Sequence, residues 1–131
     1  MPRFRFAKLV RNLIVKQQIA SGARPYCRYL AGYQLVHALV KKIGEEAGEA
    51  LAAFPDKTAV TKEIADLQQL VDDLKATMGI SSQDVATAQA LKNAAAGSFS
   101  EGLYVEYVDV AEDNPWIPYY RQHPDRYPQI G

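Results

Sequence analysis

The chain has 131 residues, a length that predicts one domain covering residues 1–131. Hydrophobic residues make up 48% of it, enough to form a core, and its 15 basic and 15 acidic side chains give a formal net charge of zero. A general nucleic-acid binder usually has a basic excess, so this balance argues against nucleic acid as a partner.

The first predicted helix covers residues 8–20 and ends near Ser21-Gly22. Its apolar side chains recur at helical spacing: Leu9, Val10, Leu13 and Ile14. Lys8 and Arg11 lie three residues apart, so we expect them on one face of this helix. They could bind phosphate oxygens there, or simply belong to a basic surface.

Two long helices are predicted next, over residues 29–54 and 59–78, with Pro55-Asp56 between them. Each carries an apolar stripe at spacings of three and four. Because the connection is short, the helices should form an antiparallel hairpin over about residues 29–78. Gly44 and Gly48 are unfavourable inside a helix, which suggests a close approach of the backbone to something or a tight helix crossing.

The second long helix should stop at Gly79, and Ser81 with Asp84 resembles a capping box that opens a helix reaching Ala96. Leu103–Val110 is rich in valine and tyrosine and predicts a short β segment. The tail, about residues 105–131, combines proline with aromatic residues and is too apolar for ordinary disorder. We expect it to pack along the domain or onto a second subunit.

The most informative pattern is EExxE on the first long helix, followed after 13 intervening residues by ExxD on the second. Glu45, Glu46 and Glu49 fall within one arc of about 100° beside the apolar stripe. Glu63 falls almost within the stripe of its own helix, with Asp66 at its edge. Folding the hairpin with the stripes facing should therefore bring the two acidic edges together.

Several carboxylates near a buried seam need either basic partners or metal ions. Lys41, Lys42 and Lys62 look too few, and mostly on other faces, to neutralise the set. Oxygen ligands without histidine or cysteine favour Mg²⁺, with Mn²⁺ as a substitute, and Mg²⁺ often takes further ligands from phosphate. The alternative is a solvated acidic face.

This paired motif resembles the all-α nucleoside triphosphate pyrophosphohydrolase superfamily typified by MazG. The opening KLVRNLI is similar to KLVRDKI of one MazG-like group, with Asn12 in place of the acid. Lys92 and Gly97-Ser98-Phe99 are similar to that group's later lysine and RGGF element, although Ala96 stands in place of the arginine. The resemblance covers roughly residues 8–104.

The resemblance implies that Glu46, Glu49, Glu63 and Asp66 hold the metal. Glu45 would join them, or would orient or deprotonate the attacking water. It also implies that water attacks the α-phosphorus of a nucleoside triphosphate and that pyrophosphate leaves, an activity suited to house-cleaning of the nucleotide pool. Lys92 and Asn93 would contact phosphate, or sugar and base.

A homodimer or homotetramer is expected, because the hairpin exposes apolar surface and the resembling superfamily forms a four-helix-bundle core on association. The alternatives are a phosphoribosyl-ATP pyrophosphohydrolase and a non-enzymatic helical interaction module with an acidic binding face.

Cys27 is the only cysteine, so an internal disulfide and a cysteine-based zinc site are both excluded. No segment approaches the roughly 18–20 apolar residues of a membrane span, and the basic N-terminus has no signal-peptide pattern. We therefore expect a soluble, cytoplasmic protein with no membrane partner.

Overall fold

The structure, a computed structural model, describes residues 1–131; its regular secondary structure is entirely helical, with no β-strand. The predicted all-α class is confirmed. The five helices are α1 (Asn12–Ala20), α2 (Gly32–Ala53), α3 (Lys57–Met78), α4 (Ser82–Ala96) and α5 (Ile117–Gln122). None of these helices is both long enough and apolar enough to cross a bilayer.

The hairpin of α2 and α3 is the one pair of helices that packs extensively. Only Phe54, Pro55 and Asp56 connect them. Asp56 begins α3 as its N-cap, since its carboxylate accepts a hydrogen bond from the N–H of Ala59 at 3.1 Å. The short connection and this cap hold the two helices side by side, as the sequence predicted.

The junction between α3 and α4 follows local rules. Gly79 ends α3 in the left-handed conformation with φ of 68°, and the N–H of Ile80 donates to the carbonyl of Lys75 at 2.9 Å. Ser81 and Asp84 form the predicted capping box, because each side chain accepts from the other's N–H, at 3.0 and 3.2 Å. Beyond this cap, every residue of α4 is exposed.

The N-terminal helix is shorter than predicted. It begins at Asn12, and Arg11 in front of it is extended, with ψ of 140°. The prediction that Lys8 and Arg11 share a helical face is therefore wrong. Ala7, with φ of 47°, also departs from helical geometry. In place of a helix, Leu9 and Val10 lie in an irregular segment and line a cavity beside α2 and α3, so burial of apolar side chains is achieved without helical periodicity.

The predicted β segment at Leu103–Val110 is also wrong, since this stretch has no regular secondary structure. A strand is stabilised by hydrogen bonds to a neighbouring strand, and the chain has none to offer. The tail instead contains α5, in which Pro118 lies in the first turn, where its missing N–H is not needed. Rings in α5 and on either side of it cluster with centroids 4.8–6.5 Å apart: Trp116, Tyr119, Tyr120, His123 and Tyr127.

By its internal contacts the chain divides into two units, Met1–Ala94 and Ala95–Gly131. The hairpin belongs to the first unit and the aromatic cluster to the second. The single domain expected from the length of the chain stays a prediction.

The hairpin buries little of its apolar surface within one chain, where Leu39 is the only buried apolar residue. Exposed apolar side chains recur at spacings of seven or fourteen residues along both helices. Along α2 they are Tyr33 and Val40, followed by Phe54 directly after the helix, and on α3 they are Ile64, Val71 and Met78. We call these six residues the exposed seam. A sevenfold repeat is the spacing by which helices pack in bundles and coiled coils.

Gly44 and Gly48 lie inside α2, and a Cβ at either position would meet nothing within 4 Å. Neither a close approach nor a tight helix crossing within the chain therefore accounts for them.

Candidate metal and phosphate site

Three acidic side chains predicted from the sequence meet between α2 and α3. Glu46 comes from the middle of α2, and Glu63 and Asp66 come from neighbouring turns of α3. One carboxylate oxygen from each residue lies within 4.8 Å of those of the other two. The hairpin therefore brings together acids that are distant in sequence, as the two acidic motifs predicted. We call these three residues the acidic trio.

The trio contains buried oxygen atoms that lack partners. Glu46 is only 6% exposed. Its Oε2 atom and the Oε2 atom of Glu63 are both buried and neither has a hydrogen-bond partner. A buried acceptor left unpaired costs about 1–3 kcal/mol, and more when it is charged. These atoms are thus suited to accept a proton or to ligate a cation.

The electrostatics of Glu46 reflect this crowding. Burial raises the pKa of the Glu46 carboxyl above its usual value, and the adjacent Glu63 carboxyl and the charge of Asp66 raise it further. Glu49 and Lys42 act in the opposite direction on the same pKa.

Lys42 is closer to the acids than its sequence position predicted. Its ammonium lies 3.4 Å from Oε2 of Glu45 and 3.5 Å from Oε1 of Glu46, and its side chain is largely buried. The expectation that the helix lysines lie mostly on other faces is thus wrong for Lys42. The signal was present in the sequence, because lysine three and four residues before a glutamate is the spacing of intrahelical ion pairs.

Glu45 and Glu49 lie at the rim of the trio and not inside it. Both are exposed. Glu45 contacts Lys42, whereas the Glu49 carboxylate interacts with the Glu46 carboxyl, whose pKa it lowers. Glu49 therefore contacts a member of the trio without belonging to it.

The N-terminal segment supplies two cations to the same place. Arg11 Nη2 donates a hydrogen bond to Oδ1 of Asp66, forming an ion pair. Lys8 lies over the ring of Phe6, at 5.7 Å from its centroid. A cavity of about 320 Å³ is lined by basic side chains, by two members of the trio and by apolar residues: Lys8, Arg11, Lys42, Glu46, Asp66, Leu39 and Leu70 among them.

Lys92 and Asn93 lie on α4, are exposed, and do not line this cavity. The structure of a single chain thus brings together the acids and the N-terminal cations of the predicted site but not the α4 residues.

The trio offers only carboxylate oxygens, which are the ligands of hard cations. Glu46, Glu63 and Asp66 fit a Mg²⁺ or Mn²⁺ ion, since the two unpartnered oxygens of Glu46 and Glu63 are free to serve as ligands. The basic side chains in the adjoining cavity fit an anion that bridges from such a cation, as a polyphosphate does.

Comparison with known protein families, with curated proteins and with solved structures found no match to this chain.

Proposed function

We propose that the protein hydrolyses a nucleoside triphosphate to the monophosphate and pyrophosphate in a Mg²⁺-dependent reaction. The observation that carries the proposal is the pair of buried, unpartnered oxygens on Glu46 and Glu63 within the acidic trio. Placing two such acceptors together is unfavourable for the chain alone. A divalent cation removes this cost.

Glu46, Glu63 and Asp66 hold the cation, with Glu49 joining from the rim. When bound, Mg²⁺ neutralises charge on the triphosphate and lowers the pKa of a bound water. Mn²⁺ is the expected substitute.

The remaining side chains act on the substrate and the water. Lys8, Arg11 and Lys42 bind phosphate oxygens in the cavity, with the guanidinium able to bind two of them at once. Glu45 is exposed at the rim and orients the attacking water or accepts its proton. Lys92 and Asn93 contact phosphate, sugar or base. Attack at the α-phosphorus follows from the resemblance to MazG-like enzymes.

The test is pyrophosphate release from a panel of canonical and modified nucleoside triphosphates, with phosphoribosyl-ATP included, in the presence and absence of Mg²⁺. We expect Glu46→Gln and Glu63→Gln to lower turnover by about a hundredfold or more, since loss of even an outer-shell residue can cost 10–100-fold. Asp72→Asn is the matched control, because Asp72 is an exposed acid of α3 outside the trio. The proposal fails if no substrate on the panel is hydrolysed, or if turnover needs no divalent cation.

The interaction module with an acidic binding face is the second candidate. Arg11 and Lys42 already pair with acids of the site, which is how a basic partner would engage this face. The two functions differ in their response to Mg²⁺: a metal site is stabilised against unfolding by bound cation, whereas a partner-binding face shows little specific effect.

The protein also assembles, in this proposal, as a homodimer or homotetramer with a four-helix-bundle core. The exposed seam supports this, because its apolar side chains, spaced by seven or fourteen residues along both helices of the hairpin, suit packing against the same two helices of a second copy.

A further inference from the structure

The Arg11–Asp66 ion pair is unusual among the polar contacts of this chain. Every other side-chain hydrogen bond or ion pair joins residues no more than eight positions apart, whereas this one spans 55. It connects the irregular N-terminal segment to the middle of α3. It also ends on a member of the acidic trio.

The Asp66 carboxylate therefore has two candidate partners of positive charge, a metal ion and the Arg11 guanidinium. One of its oxygens belongs to the cluster that could hold a metal ion, and Oδ1 accepts from the Arg11 guanidinium. The trio is more than an acidic cluster, because it contains Glu46, which is 6% exposed and has an unpartnered Oε2. A guanidinium carries one positive charge and Mg²⁺ carries two, and both bind carboxylate oxygens.

The Arg11 guanidinium also has an alternative partner, a phosphate group bound in the adjoining cavity. Its side chain is more than half exposed and lines the cavity that Lys8 and Lys42 also line. In that cavity a phosphate group would offer the paired oxygens that match the fork of a guanidinium at least as well as a carboxylate does.

We propose that Arg11 is a positioning residue that holds Asp66 until a divalent cation and a phosphate group bind together, and then exchanges Asp66 for the phosphate. The inference rests on the proposed function of this site. We expect binding of the cation alone to be disfavoured, because the cation draws on the Asp66 carboxylate without giving Arg11 a new partner. Binding of cation and polyphosphate together satisfies Asp66 and Arg11 at once, which couples the two ligands.

The test measures binding by calorimetry on the full chain, using Mg²⁺ alone and Mg²⁺ with inorganic tripolyphosphate. For Mg²⁺ alone, we expect Arg11→Gln to bind about fivefold tighter than wild type or better, the lower end of usual coupling factors. For the Mg²⁺–tripolyphosphate complex, the same variant should bind more weakly than wild type. An opposite change for the two probes is not expected from a merely structural role.

Lys8→Gln is the matched control, since Lys8 lines the same cavity and carries the same charge but makes no contact with Asp66. It should strengthen Mg²⁺ binding less than Arg11→Gln does. Arg11→Lys, which keeps the charge without the fork, should bind both probes with intermediate affinity. This variant also keeps the test valid if Arg11→Gln folds poorly, which melting curves of the metal-free proteins would reveal.

Weaker or unchanged binding of Mg²⁺ alone by both Arg11 variants would overturn the inference. Arg11 would then either strengthen binding of the cation or have no effect on it. That result leaves the proposed function standing if wild type still binds Mg²⁺. Absence of specific Mg²⁺ binding in every variant, with and without tripolyphosphate, would instead reject the metal site and the inference with it.

Discussion

Glu46 is the residue of the site whose protonation can be tested most directly by experiment. Burial and the nearby acids Glu63 and Asp66 raise the pKa of its carboxyl, while Glu49 and Lys42 partly offset them. A carboxyl whose pKa is higher in the folded state than in the unfolded state binds more protons when folded. The contribution of Glu46 to the stability of the metal-free chain is therefore present at acidic pH and is lost as the pH rises from the ordinary carboxyl value through the raised pKa of Glu46.

Glu46→Gln replaces this carboxyl with a neutral group of the same size. In metal-free buffer we expect it to raise the melting temperature at pH 7, by about 4 °C for each 1 kcal/mol recovered, because the buried charge is gone. The gain should vanish near pH 4, where the wild-type carboxyl is itself protonated. Thermal melts at the two pH values, with a chelator present, measure the difference.

Glu45→Gln is the control for this experiment, since it removes the same charge from the next position on α2, where the side chain is exposed. It should shift the melting temperature little at either pH. An equal gain for both variants at pH 7 would show that net charge, and not the buried position of Glu46, governs the effect.

At the scale of the element, the helix ends follow from backbone geometry. Gly79 ends α3 with φ of 68°, a conformation that L-residues other than asparagine and aspartate rarely adopt. We expect Gly79→Ala to lower the free energy of unfolding by about 1–2 kcal/mol. Chemical denaturation with the far-ultraviolet circular dichroism signal measures the loss.

Gly79→Asn separates backbone strain from simple crowding. Both new side chains enter open space at this position, since a Cβ there meets nothing within 4 Å. Asparagine tolerates the left-handed region better than alanine does, so it should cost less although it is larger. Equal losses for the two variants, or none for alanine, would contradict the role given to the backbone.

At the scale of the whole molecule, one chain leaves most of its apolar side chains in contact with water. Leu39 alone is buried among them, although hydrophobic residues make up 48% of the sequence. A core of this kind contributes too little to outweigh the chain entropy lost on folding. In the proposed assembly, burial of the exposed seam between copies would supply the missing apolar contacts.

Val71→Glu tests this association because Val71 lies in the centre of the seam on α3. A charge buried between two copies is strongly unfavourable, so the variant should dissociate or unfold, while wild type should be oligomeric with a melting temperature that rises with concentration. Light scattering coupled to size exclusion gives the mass of each species.

Ala65→Glu is the matched control, since Ala65 is an exposed residue of α3 outside the seam. It should assemble as wild type does. A wild-type chain that runs as a monomer, with a melting temperature independent of concentration, would contradict the proposed assembly.

Features that depend on neighbours within a few residues were predictable from the sequence. The hairpin, the stop at Gly79 and the capping box of Ser81 with Asp84 all belong to this class. The meeting of Glu46 with Glu63 and Asp66 was predictable as well, because a connection of three residues leaves two long helices few other ways to pack. Periodicity and capping are local physics, and the sequence alone determined them.

Other features were decided only by the tertiary structure. Leu9 and Val10 belong to an apolar pattern with helical spacing, yet their segment is irregular and lines a cavity beside α2 and α3. Leu103–Val110 has strand composition, yet no strand exists to pair with it. The Arg11–Asp66 pair joins residues 55 positions apart, a separation at which spacing carries no information about contact. Which groups are buried, paired or left open depends on what long-range packing brings beside them, and that is the part of this protein that local sequence patterns do not encode.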